Sequence, residues 1–195
     1  MPLLSTRANA SARGYGMFGG ATASLTAYES IATVSVGSGG TTSVNFTSIP
    51  STYKHLQIRY IAQLATGTGF DRARITLNAN SSAIYNDHSV YGNGSSVSAG
   101  GGSGGASNAV VGSFPYGGYT NIFGTGIIDI LDYQNTNKYK TVRILSATDT
   151  NGAGEVWFQS FLFSSTAAIT SFEFGYNGSA KYNQYTHLAL YGIKG

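Results

Sequence analysis

Eight carboxylates and three histidines are the side chains of this 195-residue sequence that could carry acid–base or metal chemistry, and cysteine is absent. The carboxylates are Glu29, Asp71, Asp87, Asp129, Asp132, Asp149, Glu155 and Glu173. Two of them held at a set separation could cleave a glycosidic bond, but no spacing singles out such a pair. Asp87-His88, beside Tyr85 and Tyr91 and just ahead of a glycine-rich stretch, is the one pair kept for metal or acid–base work. Asp71 has Arg72 and Arg74 close by, which explains it as a partner of cations. Without cysteine there is no disulfide, no thiolate nucleophile and no thiolate-ligated metal. We expect no cofactor, no resident metal and no enzymatic activity.

Three short motifs match known signatures without the context that gives them meaning. Gly14-Tyr15-Gly16-Met17-Phe18-Gly19 fits the dinucleotide fingerprint, but neither a preceding strand nor a following helix is readable around it. Gly101-Gly102-Ser103-Gly104-Gly105 fits the nucleophile elbow, but lies inside a glycine tract with no strand-to-helix turn. Asn45, Asn80, Asn93 and Asn177 head Asn-x-Ser/Thr triplets, as expected by chance in a chain so rich in Asn and Ser.

Among the elements that must position these residues, the clearest is a hairpin. Ile127 to Tyr133 and Tyr139 to Leu145 are rich in β-branched and aromatic residues, and Gln134 to Lys138 between them is polar turn chemistry. Pairing Tyr133 with Tyr139 sets Asp132 opposite Lys140, Ile130 opposite Val142, Asp129 opposite Arg143, Ile128 opposite Ile144 and Ile127 opposite Leu145. Acids then meet bases and aliphatics meet aliphatics, at roughly 0.2–1 kcal/mol per cross-strand pair. A slip of one residue breaks both charge pairs, so the register is specified. Asp129–Arg143 and Asp132–Lys140 are therefore expected to be structural ion pairs.

The rest of the chain alternates strands and turns. Strands are expected over Tyr28–Val36, Thr42–Ile49, Tyr53–Ala65, Phe70–Asn78, Ala109–Phe114, Glu155–Ser164, Ile169–Asn177 and Thr186–Ile193. Ser81 to Asn108 reads as irregular, with a glycine-serine surface loop from Ser98 to Ser107. Tyr53-Lys54-His55-Leu56 is echoed by Tyr185-Thr186-His187-Leu188, which suggests two neighbouring strands with His55 beside His187. Nine or ten strands and no helix predict an all-β, antiparallel β-sandwich of jelly-roll kind over residues 25–195.

Composition bounds what such a scaffold can do. Charged residues make up 10%, against about 25% in an ordinary domain, so the surface must be built from Ser, Thr, Asn, Gly and Tyr. The net charge of +3 comes without any Lys/Arg run, which argues against nucleic acid as a partner. No apolar run approaches the ~18 residues of a membrane span, and no signal peptide is readable. Residues 1–24 have no strand or helix period and no acid. They read as an extended arm along a neighbouring subunit, with Leu3, Leu4, Tyr15, Met17 and Phe18 as apolar anchors and Arg7 and Arg13 as cationic ones. Tyr116, Tyr119, Tyr176, Tyr182 and Tyr185 could instead stack on sugars, although tyrosine is also simply a good strand residue.

Several segments together resemble structural proteins of tailed phages, cyanophages included. They are Tyr28–Gly40, Phe46–Arg59, Ile127–Tyr133, Asn137–Arg143 and the closing Leu190-Tyr191-Gly192-Ile193-Lys194-Gly195. The likeness spans most of residues 28–195. It implies β-sandwich subunits, frequently homotrimers, acting as capsid cement (decoration) proteins or as tail-fibre parts. The first expectation is a cement protein made in the host cytoplasm and bound outside the capsid, its arm running along the major capsid protein. The alternative is a tail-fibre or receptor-binding module that recognises host surface glycans through Tyr116, Tyr119 and Tyr182.

Overall fold

The computed structural model describes residues 27–102, 104–176 and 178–195. Leu3, Leu4, Arg7, Arg13, Tyr15, Met17 and Phe18, the anchors assigned to the arm, lie outside the described residues, as does the boundary drawn after residue 24. The described chain contains twelve strands and no helix. They are β1 (Tyr28–Ser35), β2 (Ser43–Phe46), β3 (His55–Ala62), β4 (Phe70–Leu77), β5 (Tyr85–Gly92), β6 (Val97–Gly101), β7 (Ala109–Pro115), β8 (Gly124–Ile130), β9 (Lys140–Thr150), β10 (Ala153–Phe163), β11 (Phe172–Gly175) and β12 (His187–Ile193).

The strands form two antiparallel sheets, ordered β1-β12-β3-β8-β9-β10-β5-β6 and β2-β11-β4-β7. Eight of them carry jelly-roll wiring: β1 pairs with β12, β2 with β11, β3 with β8 and β4 with β7, like one long hairpin wound across two sheets. The other four are two inserted hairpins. One, β5–β6, leaves the chain between β4 and β7; the other, β9–β10, leaves it between β8 and β11. Both join the same sheet through β8–β9 and β10–β5, so that sheet grows to eight strands while its partner keeps four.

Strand alternation supplies the core. Leu56, Ile58 and Tyr60 of β3, Ile128 and Ile130 of β8, Val142 and Ile144 of β9 and Leu188 and Leu190 of β12 point inward from the wide sheet. Val44, Phe46, Ile75, Leu77, Phe172 and Phe174 meet them from the narrow one. Phe174 packs on Tyr60 at 4.9 Å and on Tyr182 at 5.3 Å between ring centroids, and Tyr182 meets Phe114 edge-on at 5.7 Å. Each such side chain contributes roughly 1.5–3 kcal/mol by leaving water.

Two expectations about strands are corrected. Residues 85–92 and 97–101, read as irregular, are β5 and β6. Their sequences are too polar and glycine-rich to look like half-buried strands, because β5 lies toward the rim of the wide sheet and β6 is its edge among the described residues. The Tyr-x-His-Leu echo does mark neighbours, since β3 pairs with β12, but the pairing is antiparallel. His187 therefore faces Ile61 and His55 faces Ile193, at opposite ends of the two strands.

The hairpin register holds from Ile127↔Leu145 through Asp129↔Arg143 to Ile130↔Val142 and stops there. Asp132 does not pair with Lys140. Tyr133 is buried, its hydroxyl donating to the Pro50 carbonyl, and this pulls the chain out of the strand after Ile130. Asp132 turns with φ +47° and is bracketed by Lys54 at 3.0 Å and Lys138 at 2.5 Å. Lys140 is buried instead, its ammonium donating to the carbonyls of Thr166 at 2.7 Å and Ala167 at 2.6 Å.

Candidate interaction surface

The wide sheet has an inner face that meets the narrow sheet and an outer face that does not. In an antiparallel sheet the solvent face is ordinarily polar. Here several strands are apolar on both faces: Ile127-Ile128 in β8, Ile144-Leu145 in β9 and Val156-Trp157-Phe158 in β10. In each run one residue (Ile128, Ile144 or Trp157) is buried and its apolar neighbours are left outside.

Register brings the outer residues into line. Reading across β3, β8, β9, β10, β5 and β6, one transverse row runs Arg59, Ile127, Leu145, Phe158, Val90, Ala99. The next row runs Ile61, Thr125, Ala147, Val156, Gly92, Val97. Leu145 and Phe158 are each 53% exposed, Val156 56% and Val97 77%. Ile61, Val90 and Ile127 are exposed as well. Single exposed aliphatics are ordinary, but adjacent rows of them across six strands form a continuous apolar face.

A polar ladder borders these rows and is already satisfied. Arg143 donates to Asp129 Oδ2 at 3.0 Å, Gln57 Nε2 donates to Asp129 Oδ1 at 2.9 Å, and Arg59 Nε donates to Gln57 Oε1 at 2.8 Å. The Arg59 guanidinium also lies 5.5 Å from the Tyr191 ring and 6.0 Å from the Tyr28 ring, within reach of cation–π attraction. Arginine and aromatic side chains held by their neighbours lose little entropy on docking, and these types are enriched where interfaces bind tightly. A shallow hollow lined by Gln57, Ile127, Asp129, Arg143, Leu145 and Phe158 lies where ladder and apolar row meet. The Asp129–Arg143 pair therefore sits on this surface.

The tyrosines considered for glycan contact are placed differently. Tyr182 is fully buried and its hydroxyl donates to the Gly175 carbonyl at 2.8 Å, so its ring cannot stack on a sugar. Tyr116 and Tyr176 both donate to Asp71 Oδ2, the second at 2.8 Å, and their own oxygens are 2.8 Å apart. Burial raises the Asp71 carboxyl, but the bonds from Tyr116, the Arg72 N–H and Tyr176 outweigh it and leave the pKa below its ordinary value. These hydroxyls, rather than Arg74, are what Asp71 pairs with. The Tyr119 ring stacks on Phe70 at 5.7 Å. Tyr185, 72% exposed, is the tyrosine of this group that stands open.

The histidines do not assemble a site. Among the described residues, no three His, Asp or Glu side chains come together as metal ligands. His88 points outward from β5 opposite Gly101. His55 Nδ1 accepts from the Asp132 N–H at 2.9 Å, and His187 Nδ1 lies 2.9 Å from the Ser35 hydroxyl.

Sequence reasoning set Ile127 opposite Leu145 but missed that Phe158, Val90, Val156 and Ile61 extend that pair. The available signal was the unbroken apolar run in β8, β9 and β10, where a sheet solvated on one face should alternate. Comparison of the chain with protein-family models, with curated proteins and with solved structures finds no match.

Proposed function

We propose that this chain is a structural protein of a tailed-phage virion, stationed outside the capsid as a cement (decoration) protein that binds the major capsid protein. The role is one of adhesion, without catalysis or cofactor. The observation that carries the reading is the jelly-roll frame whose widened sheet presents a charge-poor, apolar outer face, one that calls for a protein cover from the shell or from a neighbouring copy. Jelly rolls recur in capsid proteins and in lectins, so the frame alone does not choose between them. The apolar face and the 10% charge content favour a protein made to lie against other protein surfaces. The sequence resemblance over most of residues 28–195 points the same way and brings with it the expectation of a homotrimer. Residues 1–24 would add a second attachment, and weak contacts repeated within one oligomer clamp a shell multivalently.

Quantitative mass spectrometry of purified particles tests this directly. A copy number close to that of the major capsid protein is the expected result. A handful of copies per particle would sink the capsid station and move the protein to a tail fibre, where the exposed Tyr185 becomes the first place to look for glycan contact. Deleting residues 1–24 is expected to strip the protein from the shell while leaving the sandwich folded.

A further inference from the structure

We infer that the outer face of the eight-stranded sheet is a self-association surface, on which a second copy of this chain seats its own outer face. The inference does not rest on the virion reading, because it concerns the isolated protein. The first argument is area. The seven aliphatic and aromatic side chains of the two transverse rows are between 37% and 77% exposed. Together they make a patch at the upper end of the ~300–600 Å² of the largest patch on a typical monomer, most of the way to the ~800 Å² each partner contributes to a standard interface.

The second argument is chemistry. The occupant must be flat and apolar at its centre with few charges, since Arg143 is already paired with Asp129 and Arg59 is held by Gln57. The same face on another copy meets that description: its centre is Leu145 and Phe158, and its charges are confined to the border. Two sheets packed face to face interdigitate at about 10 Å, as they do inside a sandwich. A patch that pairs with itself is isologous and closes with two copies. The contact therefore predicts a dimer of the isolated protein in place of the homotrimer that the resemblance implies, and it leaves attachment to a shell to residues 1–24 and to other surfaces.

Sedimentation and light scattering on the full chain decide the matter. The expected mass is near twice the 20.3 kDa of one chain. Leu145→Asp and Phe158→Asp, both at exposed positions that a monomer tolerates, are each expected to weaken the pairing about 30-fold or more, with an unchanged circular dichroism spectrum. Tyr185→Ser, exposed but away from these strands, is expected to leave it intact. A wild-type mass of one chain or of three would overturn the inference, and so would a dimer indifferent to Leu145→Asp and Phe158→Asp. Loss of capsid binding by a protein that still dimerises would count against the virion reading alone.

Discussion

Lys140 and Ala167 meet through a 2.6 Å hydrogen bond from the buried ammonium to the backbone carbonyl, and Thr166 accepts from the same ammonium at 2.7 Å. A lysine from the start of β9 thereby fastens the connection between β10 and β11 across the end of the sandwich. Burial pulls the Lys140 pKa below its ordinary value, with nearby Lys138 adding to the shift. The carbonyls do the holding. Lys140→Met should keep the packed stem but orphan these oxygens, and we expect a loss of about 2–4 kcal/mol. Chemical denaturation read at constant slope would measure it; a change under about 0.5 kcal/mol would show that water replaces the ammonium at little cost.

Asp132 gives the fold an acid limit. The Lys138 ammonium, hydrogen-bonded to Oδ2, and the Lys54 ammonium, 3.0 Å from Oδ1, hold its carboxyl down at about 2, against an ordinary value near 4. The native state then binds fewer protons than the unfolded one between those values. Its contribution to stability is complete above pH 4 and is lost as pH falls toward 2. Thermal melts from pH 5 to pH 2 should show stability falling through that window, with a shallower fall in Asp132→Asn. Equal slopes in the two proteins would remove Asp132 from the account.

Gly126 and Tyr60 are cross-strand partners, and a Cβ on Gly126 would lie 2.5 Å from the Tyr60 ring. The ring covers the glycine, as aromatic side chains do when they shield bare backbone in a sheet. Gly126→Ala should cost about 1–3 kcal/mol by overpacking. Tyr60→Leu in the same chain should recover part of that cost, giving a coupling energy of opposite sign in a double-mutant cycle. Simple additivity would mean that the strands part without strain.

The Asp129–Arg143 pair lies at the polar border of the outer face, with the Arg143 side chain 57% exposed, and should matter little to folding. Its coupling in a double-mutant cycle is expected at about 0.2–1 kcal/mol, shrinking with added salt. A coupling well above this would mean that the ladder through Gln57 and Arg59 acts as one cooperative unit.

Much of this architecture is local and was legible in the chain. Strand alternation has a period of two and needs no knowledge of neighbours, so the all-β class and the positions of β1, β4, β7, β10 and β12 followed from sequence. So did the β8–β9 register from Ile127 to Ile130, because both strands belong to one hairpin and their charges and aliphatics match in one alignment. What sequence could not supply is lateral adjacency between distant segments. That β10 pairs with β5, setting Phe158 beside Val90, depends on how two inserted hairpins meet in space. Tertiary placement also chose which tyrosines the core absorbs, hiding Tyr182 and Tyr133 and leaving Tyr185 outside. It put Lys140 among carbonyls instead of opposite Asp132, because burial of Tyr133 ends the strand first. The apolar outer face is the same kind of outcome. Its residues are ordinary strand formers one by one, and only the order of strands in the wide sheet makes them a surface.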